Sequence, residues 1–563
     1  MSGSAAARAG CRDEEWRFEG EGADPTLTVV TVLDADAGGE PAADLLTATW
    51  ASLRAQHDPR WQWVVVTVSG VPAPPSLTGP AEDSRVVVHP ATPGEMLAEG
   101  LRVAAGALLL VLPVGDTLAA EAVGCLGAAA GDGGWLYSDE LLPRNGESSA
   151  WHRWEKPTAS PELLLAQPDF AAGVAISRSA LRELGGPDPR MGTAEWYDLV
   201  LRAAEGGSGG HVPEPLVRRR ADLGAPLVRP TDAAAAARAS CARRGLAVDD
   251  VTPVEVRGRV IGQWVRLTPP ADARVSIVVP TRGSSSVVRG VERCHVVELA
   301  RSVWVPDRFP GLVEFVVVHD ADTPQAVLDE LADIVGDGLR TVLFDEPFNF
   351  SRKCNVGAVA ATGELLCFLN DDVEVLSPDW LAAMTGHLVD PDVGLVGAKL
   401  LLEDGSLQHV GHGYRDGHAG HPLLGWPANT LALGGSAQLA GARSGVTAAC
   451  AVVRAADHAA VGGFSEILPL NYNDVDFCLK IRRRGQRIVY TPHAELFHFE
   501  SQTRIARLLS WERDVILRRW RTMMEHDEYL PAVQPAVHGQ LEDQHTTPMT
   551  RGADDGGGNE GAA

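Results

Sequence analysis

The residues best suited to chemistry stand at the end of an apolar run, where Leu365-Leu366-Cys367-Phe368-Leu369 stops on Asn370-Asp371-Asp372. Five consecutive apolar residues suit a strand buried on both faces of a parallel sheet. The acids then stand at the carboxyl end of that strand, where open α/β sheets bind ligands. Adjacent carboxylates repel each other unless a cation holds them. Their oxygens suit Mg2+ or Mn2+, ions that keep positions open for substrate phosphates. The same three residues also make an ordinary polar strand end, so the motif alone leaves both readings open.

Two later features bear on that choice. Asn473-Asp474-Val475-Asp476-Phe477-Cys478-Leu479 reads as the start of a helix, with Asp474 in its first turn. An acid there is often no more than favourable dipole chemistry, but Gly462-Gly463-Phe464 upstream supplies a tight turn that can aim the helix start into a cleft. Further on, His498 sits in the strand-like stretch Leu496-Phe497-His498-Phe499. A carboxylate pair, an acidic helix start and a late histidine together supply a metal site and a base.

Positioning these groups requires a sheet. Val275 to Val279 reads as a strand ending in the turn Pro280-Thr281-Arg282-Gly283, and Glu314 to Val318 as another ending in His319-Asp320. Thr341 to Phe344 follows, then a helix opened by Asn349 and closed by Gly363. Alternating strands and helices imply a mostly parallel sheet. A weaker version of the plan precedes it: strand Leu27 to Leu33, helix Asp44 to Ala55, strand Trp61 to Val68, strand Leu108 to Leu112, then Trp135 to Glu140. Where the second copy has Asn370-Asp371-Asp372, the first has Pro113-Val114-Gly115-Asp116, with one carboxylate.

Bulk composition narrows the class. The 563 residues are too many for one core. A net charge of −25 argues against a nucleic acid as partner. The eight cysteines show no regular framework, which suits reduced thiols in a cytoplasmic setting. No leader or membrane-spanning run is visible. The expected organisation is α/β, with a disordered segment at 1–24, a first domain at 25–230, a connector at 231–273, a second domain at 274–545 and a disordered acidic tail at 546–563.

In order along 274–532, Pro280-Thr281-Arg282, Phe348-Asn349-Phe350-Ser351, Asn370-Asp371-Asp372, Gln408-His409-Val410-Gly411, Gly462-Gly463-Phe464, Asn473-Asp474-Val475-Asp476 and His498-x-Glu500-Ser501 resemble family 2 inverting glycosyltransferases of the GT-A fold. The resemblance is strongest to the bacterial, rhamnosyltransferase-like branch that builds cell-surface polysaccharide. It implies two tandem Rossmann-like GT-A domains and a reaction moving a sugar from a nucleoside-diphosphate sugar to a glycan or lipid-linked hydroxyl. Asp474 matches the general base. Asp372, His498 and Asp371 match the metal site for Mg2+ or Mn2+. Pro280, Thr281, Arg282, Asp320, Asn355, Asn370 and Asp371 match the nucleotide-sugar pocket, and Asp476, His409 and Trp426 are placed on the acceptor side. Asn370 departs from the aspartate usual at the first acidic position.

The first copy resembles the same fold without its chemistry: its base position reads Trp196, and its late histidine reads Arg218 or Arg219. It is expected to be a non-catalytic scaffold, with Asp139 or Glu195 as substitute bases if it is not. His409, His412, His418 and His421 suggest zinc on paper, but the glycines between them favour a flexible loop on the acceptor side. Arg504 to Met524 reads as an amphipathic helix that either packs on the second domain or meets an anionic membrane surface. Homodimerisation is a further expectation. The different-class alternative is a non-catalytic carbohydrate or nucleotide-sugar binding scaffold.

Overall fold

The computed structural model describes Phe18 and residues 25–529, apart from 34–39, 132–133, 145–146, 222–226, 307–308, 310 and 500–509. The disorder expected at 1–24 and 546–563 lies outside the described residues, as do Glu500 and Ser501.

Two α/β sheets are laid out on one plan. The first runs, neighbour by neighbour, Val86–Ala91, Trp61–Val68, Leu27–Val32, Leu108–Val111, Val174–Ser177, Trp135–Arg144, Gly210–Arg218 and Thr117–Leu118. The second runs Leu339–Phe344, Leu312–Asp320, Val275–Thr281, Leu365–Leu369, Cys450–Arg454, Val393–Leu401, Arg487–His498 and Val373–Val375. In both, the first four strands pair in parallel and the fifth is antiparallel to its two neighbours. The central parallel strands are mostly apolar because helices cover both faces; Leu365–Leu369 is buried at every position.

The likeness extends to individual atoms. Thr28 Oγ1 donates to Gln62 Oε1 at 2.9 Å and accepts from the Gly106 N–H at 2.8 Å. In the second sheet Ser276 Oγ donates to Glu314 Oε1 at 2.5 Å and accepts from the Gly363 N–H at 2.8 Å. Gly363 therefore does not close the preceding helix, as its position suggested. That helix, Phe350–Ala360, ends on Ala361 in an extended conformation. Glycine is needed at 363 because a Cβ there would lie 2.5 Å from Ser276 Oγ and 2.7 Å from the Arg274 carbonyl oxygen.

Two local expectations are corrected. The Pro280–Gly283 turn, after which the sequence allows a helix to start, leads first into the hairpin Ser285–Val288/Val291–Cys294, and only then into the helix His295–Val303. The connector, whose residue pattern suggests a helix and a short extended segment, holds a helix, Pro230–Arg243, and a full hairpin, Val248–Val256/Arg259–Leu267. This hairpin bridges the halves: Gln263 Nε2 donates to the Leu165 carbonyl at 2.8 Å, and Trp264 stacks on His493 at 4.1 Å. Arg487 joins Glu162 at 3.0 Å and Asp390 at 2.7 Å across the same junction. Among the described residues, no helix is long and apolar enough to cross a membrane.

Candidate active site

The carboxyl edge of the second sheet opens onto a cavity of about 1170 Å3, and Asn370, Asp371, Asp372, Asp474 and His498 all line it. The strand Leu365–Leu369 delivers the acids there. Val373 pairs antiparallel with His498, which brings the late histidine beside them. His498 Nε2 lies 3.2 Å from Asp372 Oδ1. The other ring nitrogen, Nδ1, meets Gln408 Oε1 at 2.8 Å. An amide oxygen can only accept, so the proton sits on Nδ1 and Nε2 presents a lone pair. A lone pair facing a carboxylate oxygen calls for a cation, and an outer partner that fixes the ring's tautomer is the usual support of a metal-binding histidine.

Asp371 points to the other side and accepts from Thr281 Oγ1 at 2.6 Å. Burial, then the charge of Asp372, pushes its carboxyl up to about 7, against the pull of Thr281 and Lys353. With a second proton on His498, Asp372 is held below the usual carboxylate range: burial would raise it, but the charged imidazole outweighs that. Asn370 directs Nδ2 at His498 Nε2 across 3.1 Å, while its buried Oδ1 has no hydrogen-bond partner. This orphaned oxygen and the lone pair fit a divalent cation held by Asp372 and His498.

Asp474 enters from the opposite wall. It occupies the first turn of the helix Asn473–Arg483, and Tyr472 just before it has φ 58°, a left-handed value that turns the chain into the cavity. Asp474 Oδ1 accepts from the Val475 N–H at 2.8 Å, which leaves Oδ2 for other work. The loop ahead is tied down by Glu512, which accepts from the N–H groups of Leu470 and Asn471 and from Asn471 Nδ2. Glu512 belongs to the helix Ser510–Trp520, whose Ile516 and Trp520 pack with Val475 and Leu479. The amphipathic segment therefore braces the helix carrying Asp474. Its role was missed because a glutamate in an arginine-rich helix looks like solvated charge.

On the nucleotide side, Pro280, Thr281, Arg282 and Asp320 line the same cavity. Lys353 Nζ, fully buried, reaches the Thr281 carbonyl at 2.9 Å and Asp320 Oδ1 at 2.6 Å, fastening two strand ends together. Its place in a polar helix start hid this role.

Three expected site residues are not brought to the cavity. Asn355 spends its amide on the backbone of Phe464 and on Glu466 Oε1, holding the Gly462–Gly463 turn. Trp426 packs with Leu407, Leu423 and Tyr490. Asp476 is fully buried and accepts from Trp520 Nε1 at 2.8 Å and Arg519 Nη1 at 2.9 Å, with Lys480 at 3.1 Å. Each looked available in sequence because Glu466, Tyr490 and Trp520, all more than forty positions from the residue they meet, are not visible as partners there.

The histidine segment is ordered and buried rather than a flexible loop. His409 and His412 are about 1% and 3% exposed, and with His421 their nearest nitrogens lie within 4.8 Å of one another. The hydrogen bonds argue against a metal there. The Thr447 N–H donates to His409 Nε2 at 3.1 Å, which places the proton of His409 on Nδ1, and Nδ1 then donates to His421 Nδ1 at 2.8 Å. A metal-binding imidazole needs the reverse, an outer nitrogen that donates.

The corresponding edge of the first sheet carries different side chains. Thr117 pairs with Arg218 as Val373 pairs with His498, so Asp116 stands at the place of Asp372 and Arg218 at that of His498. Asp116 is buried, accepts from the Arg220 N–H at 2.8 Å, and is pushed up to about 6, mainly by burial. The helix Glu195–Glu205 pairs Asp198 with Arg202 as Asn473–Arg483 pairs Asp476 with Lys480, which puts Trp196 at the place of Asp474. Lys156 and Glu140, both fully buried, meet at 2.5 Å behind it. Asp139 is committed to Arg153 and His211, which hold its carboxyl below the usual range despite burial.

Residues 276–458 match the family model described as Glycosyl transferase family 2. The chain carries a family 2 glycosyltransferase domain. The match takes in Asp320, Asp371, Asp372 and Gln408; Asp474 and His498 lie beyond it. The O-antigen biosynthesis protein RfbC of Myxococcus xanthus is 32% identical over 386 residues, covering 66% of this chain and 29% of that protein. The uncharacterized protein y4gI of Sinorhizobium fredii is 37% identical over 273 residues, 46% of this chain and 29% of its own length. The chain thus spans under a third of either relative. Among solved structures, GalNAc-T7 with UDP, GalNAc and Mn2+ aligns with a TM-score of 0.37 at 11% identity, covering 48% of this chain and 51% of that one.

Proposed function

We propose that the second sheet carries the active site of an inverting glycosyltransferase, moving a sugar from a nucleoside-diphosphate sugar to a hydroxyl of a glycan or lipid-linked acceptor. The observation that carries this reading is the pairing of Asp372 with the Nε2 of His498, in one cavity with an Asp474 oxygen left unengaged by its own helix. Thr281, Arg282 and Asp320 line the part that would receive the nucleotide. Mg2+ or Mn2+, bound by Asp372 and His498 with Asp371 beside them, would neutralise charge on the departing diphosphate. Asp474 Oδ2 takes the proton of the acceptor hydroxyl, a contribution of about 10²–10⁴-fold. The hydroxyl attacks the anomeric carbon from the face opposite the diphosphate, so configuration inverts. The name of the M. xanthus relative supports a place in surface-polysaccharide synthesis.

The first sheet, in this reading, is a structural twin without catalysis, because Arg218 stands at the place of His498 and Trp196 at that of Asp474, which leaves neither a metal-binding imidazole nor a base.

The experiment is a melting-temperature screen with UDP, dTDP and GDP sugars, with and without Mn2+. A metal-dependent rise with one nucleotide is expected. If no nucleotide sugar stabilises the protein with any divalent metal, the reading fails.

A further inference from the structure

His412 stands against Asp474 on the cavity wall away from the acidic pair. Its Nε2 lies 3.7 Å from Asp474 Oδ2. That is too long for a direct hydrogen bond, but an oxygen about 2.8 Å from each atom fits between them. The imidazole is held in place from behind. The backbone N–H of His412 donates to the Gly445 carbonyl at 2.7 Å, and a Cβ on Gly445 would come within 2.8 Å of His412 Nδ1. That Nδ1 is buried and has no hydrogen-bond partner. A proton on it would be a stranded donor, whereas a proton on Nε2 faces the Asp474 carboxylate. His409 and His421 pack edge-on against the ring at 5.1 and 5.5 Å. Burial keeps His412 below the ordinary imidazole range, against the charges of Asp474 and Asp527, so the ring is neutral.

Resting on the transfer reaction above, we propose that His412 and Asp474 grip the acceptor hydroxyl between them. A hydroxyl has one proton and two lone pairs. Asp474 Oδ2 receives the proton, His412 Nε2–H donates to one lone pair, and the other lone pair is aimed at the anomeric carbon. The new oxygen–carbon bond forms as the carbon–oxygen bond to the diphosphate breaks. The proton ends on Asp474, and the electron pair leaves with the diphosphate. His412 thereby selects a free hydroxyl presented singly at the cavity wall and sets its angle of attack.

The test uses the full chain carrying His412→Phe, His412→Gln or Asp474→Asn. Donor engagement is read as the melting shift with the stabilising nucleotide sugar and Mn2+. Turnover is read as nucleoside diphosphate released, with octyl glycosides as acceptors and water as background acceptor. We expect His412→Phe to raise the acceptor KM and lower kcat/KM by about 10- to 100-fold with the donor shift unchanged. His412→Gln, which keeps a donor, recovers much of that loss. Wild-type acceptor kinetics in His412→Phe, beside an inactive Asp474→Asn, overturn the proposal and leave the transfer reaction standing. If His412→Phe does not fold, His412→Gln decides: a folded His412→Gln with no acceptor turnover at all beyond the water background overturns it. A wild type that neither binds nucleotide nor releases diphosphate overturns both.

Discussion

Gln408 Oε1 lies 2.8 Å from His498 Nδ1 and so decides which face of that imidazole meets Asp372. Replacing Gln408 by leucine frees the ring to rotate and to change tautomer. Mn2+ affinity is expected to fall about 10- to 100-fold. A Mn2+ titration of the nucleotide-dependent melting shift measures this; an unchanged midpoint would show that the ring needs no such support.

Asp474→Asn keeps the shape of the side chain and removes its basicity. Turnover should drop by about 10²–10⁴-fold, while the melting shift with donor and Mn2+ stays within error of wild type. Residual turnover close to wild type would place the base elsewhere in the cavity.

Lys156 and Glu140 form a fully buried ion pair in the first sheet. Glu140→Gln leaves the Lys156 charge buried without its carboxylate and should cost about 3–5 kcal/mol by denaturant unfolding; Lys156→Met should cost less, because Arg219 Nη1 still lies 3.7 Å from Glu140. The double variant should recover part of that loss. Donor binding at the second sheet is expected to persist in every variant that folds, which separates the scaffold from the site.

Glu195 gives a pH-dependent test. Burial, helped by the charge of Asp188, pushes its carboxyl from 4.5 up to about 8. Stability from keeping it protonated is full below pH 4.5, declines as the pH rises, and is lost above about 8. Glu195→Gln does not titrate. Its melting temperature relative to wild type should therefore climb between pH 5 and pH 9, by the equivalent of roughly 2–4 kcal/mol. A flat difference across that range would mean that the carboxylate is ionised in the folded protein.

The order of motifs along the second half and the repeated strand plan were legible from residues alone. Apolar runs such as Leu365–Leu369 report burial directly, and acids at their ends report the ligand edge. Asp371, Asp372, Asp474 and His498 could be named for the same reason: each sits at the boundary of an element that local pattern defines. Partnership could not be read. Asn355, Trp426 and Asp476 seemed as available as Asp474 until the fold supplied Phe464, Tyr490 and Trp520 to occupy them. Lys353, Gln408, His412 and Glu512 gained their roles the same way, through contacts across 33 to 90 positions of chain. Local sequence sets which backbone conformations and burial patterns are favourable, because those depend on neighbours along the chain. Which polar atom meets which is decided only when strands and helices far apart in sequence close around the cavity.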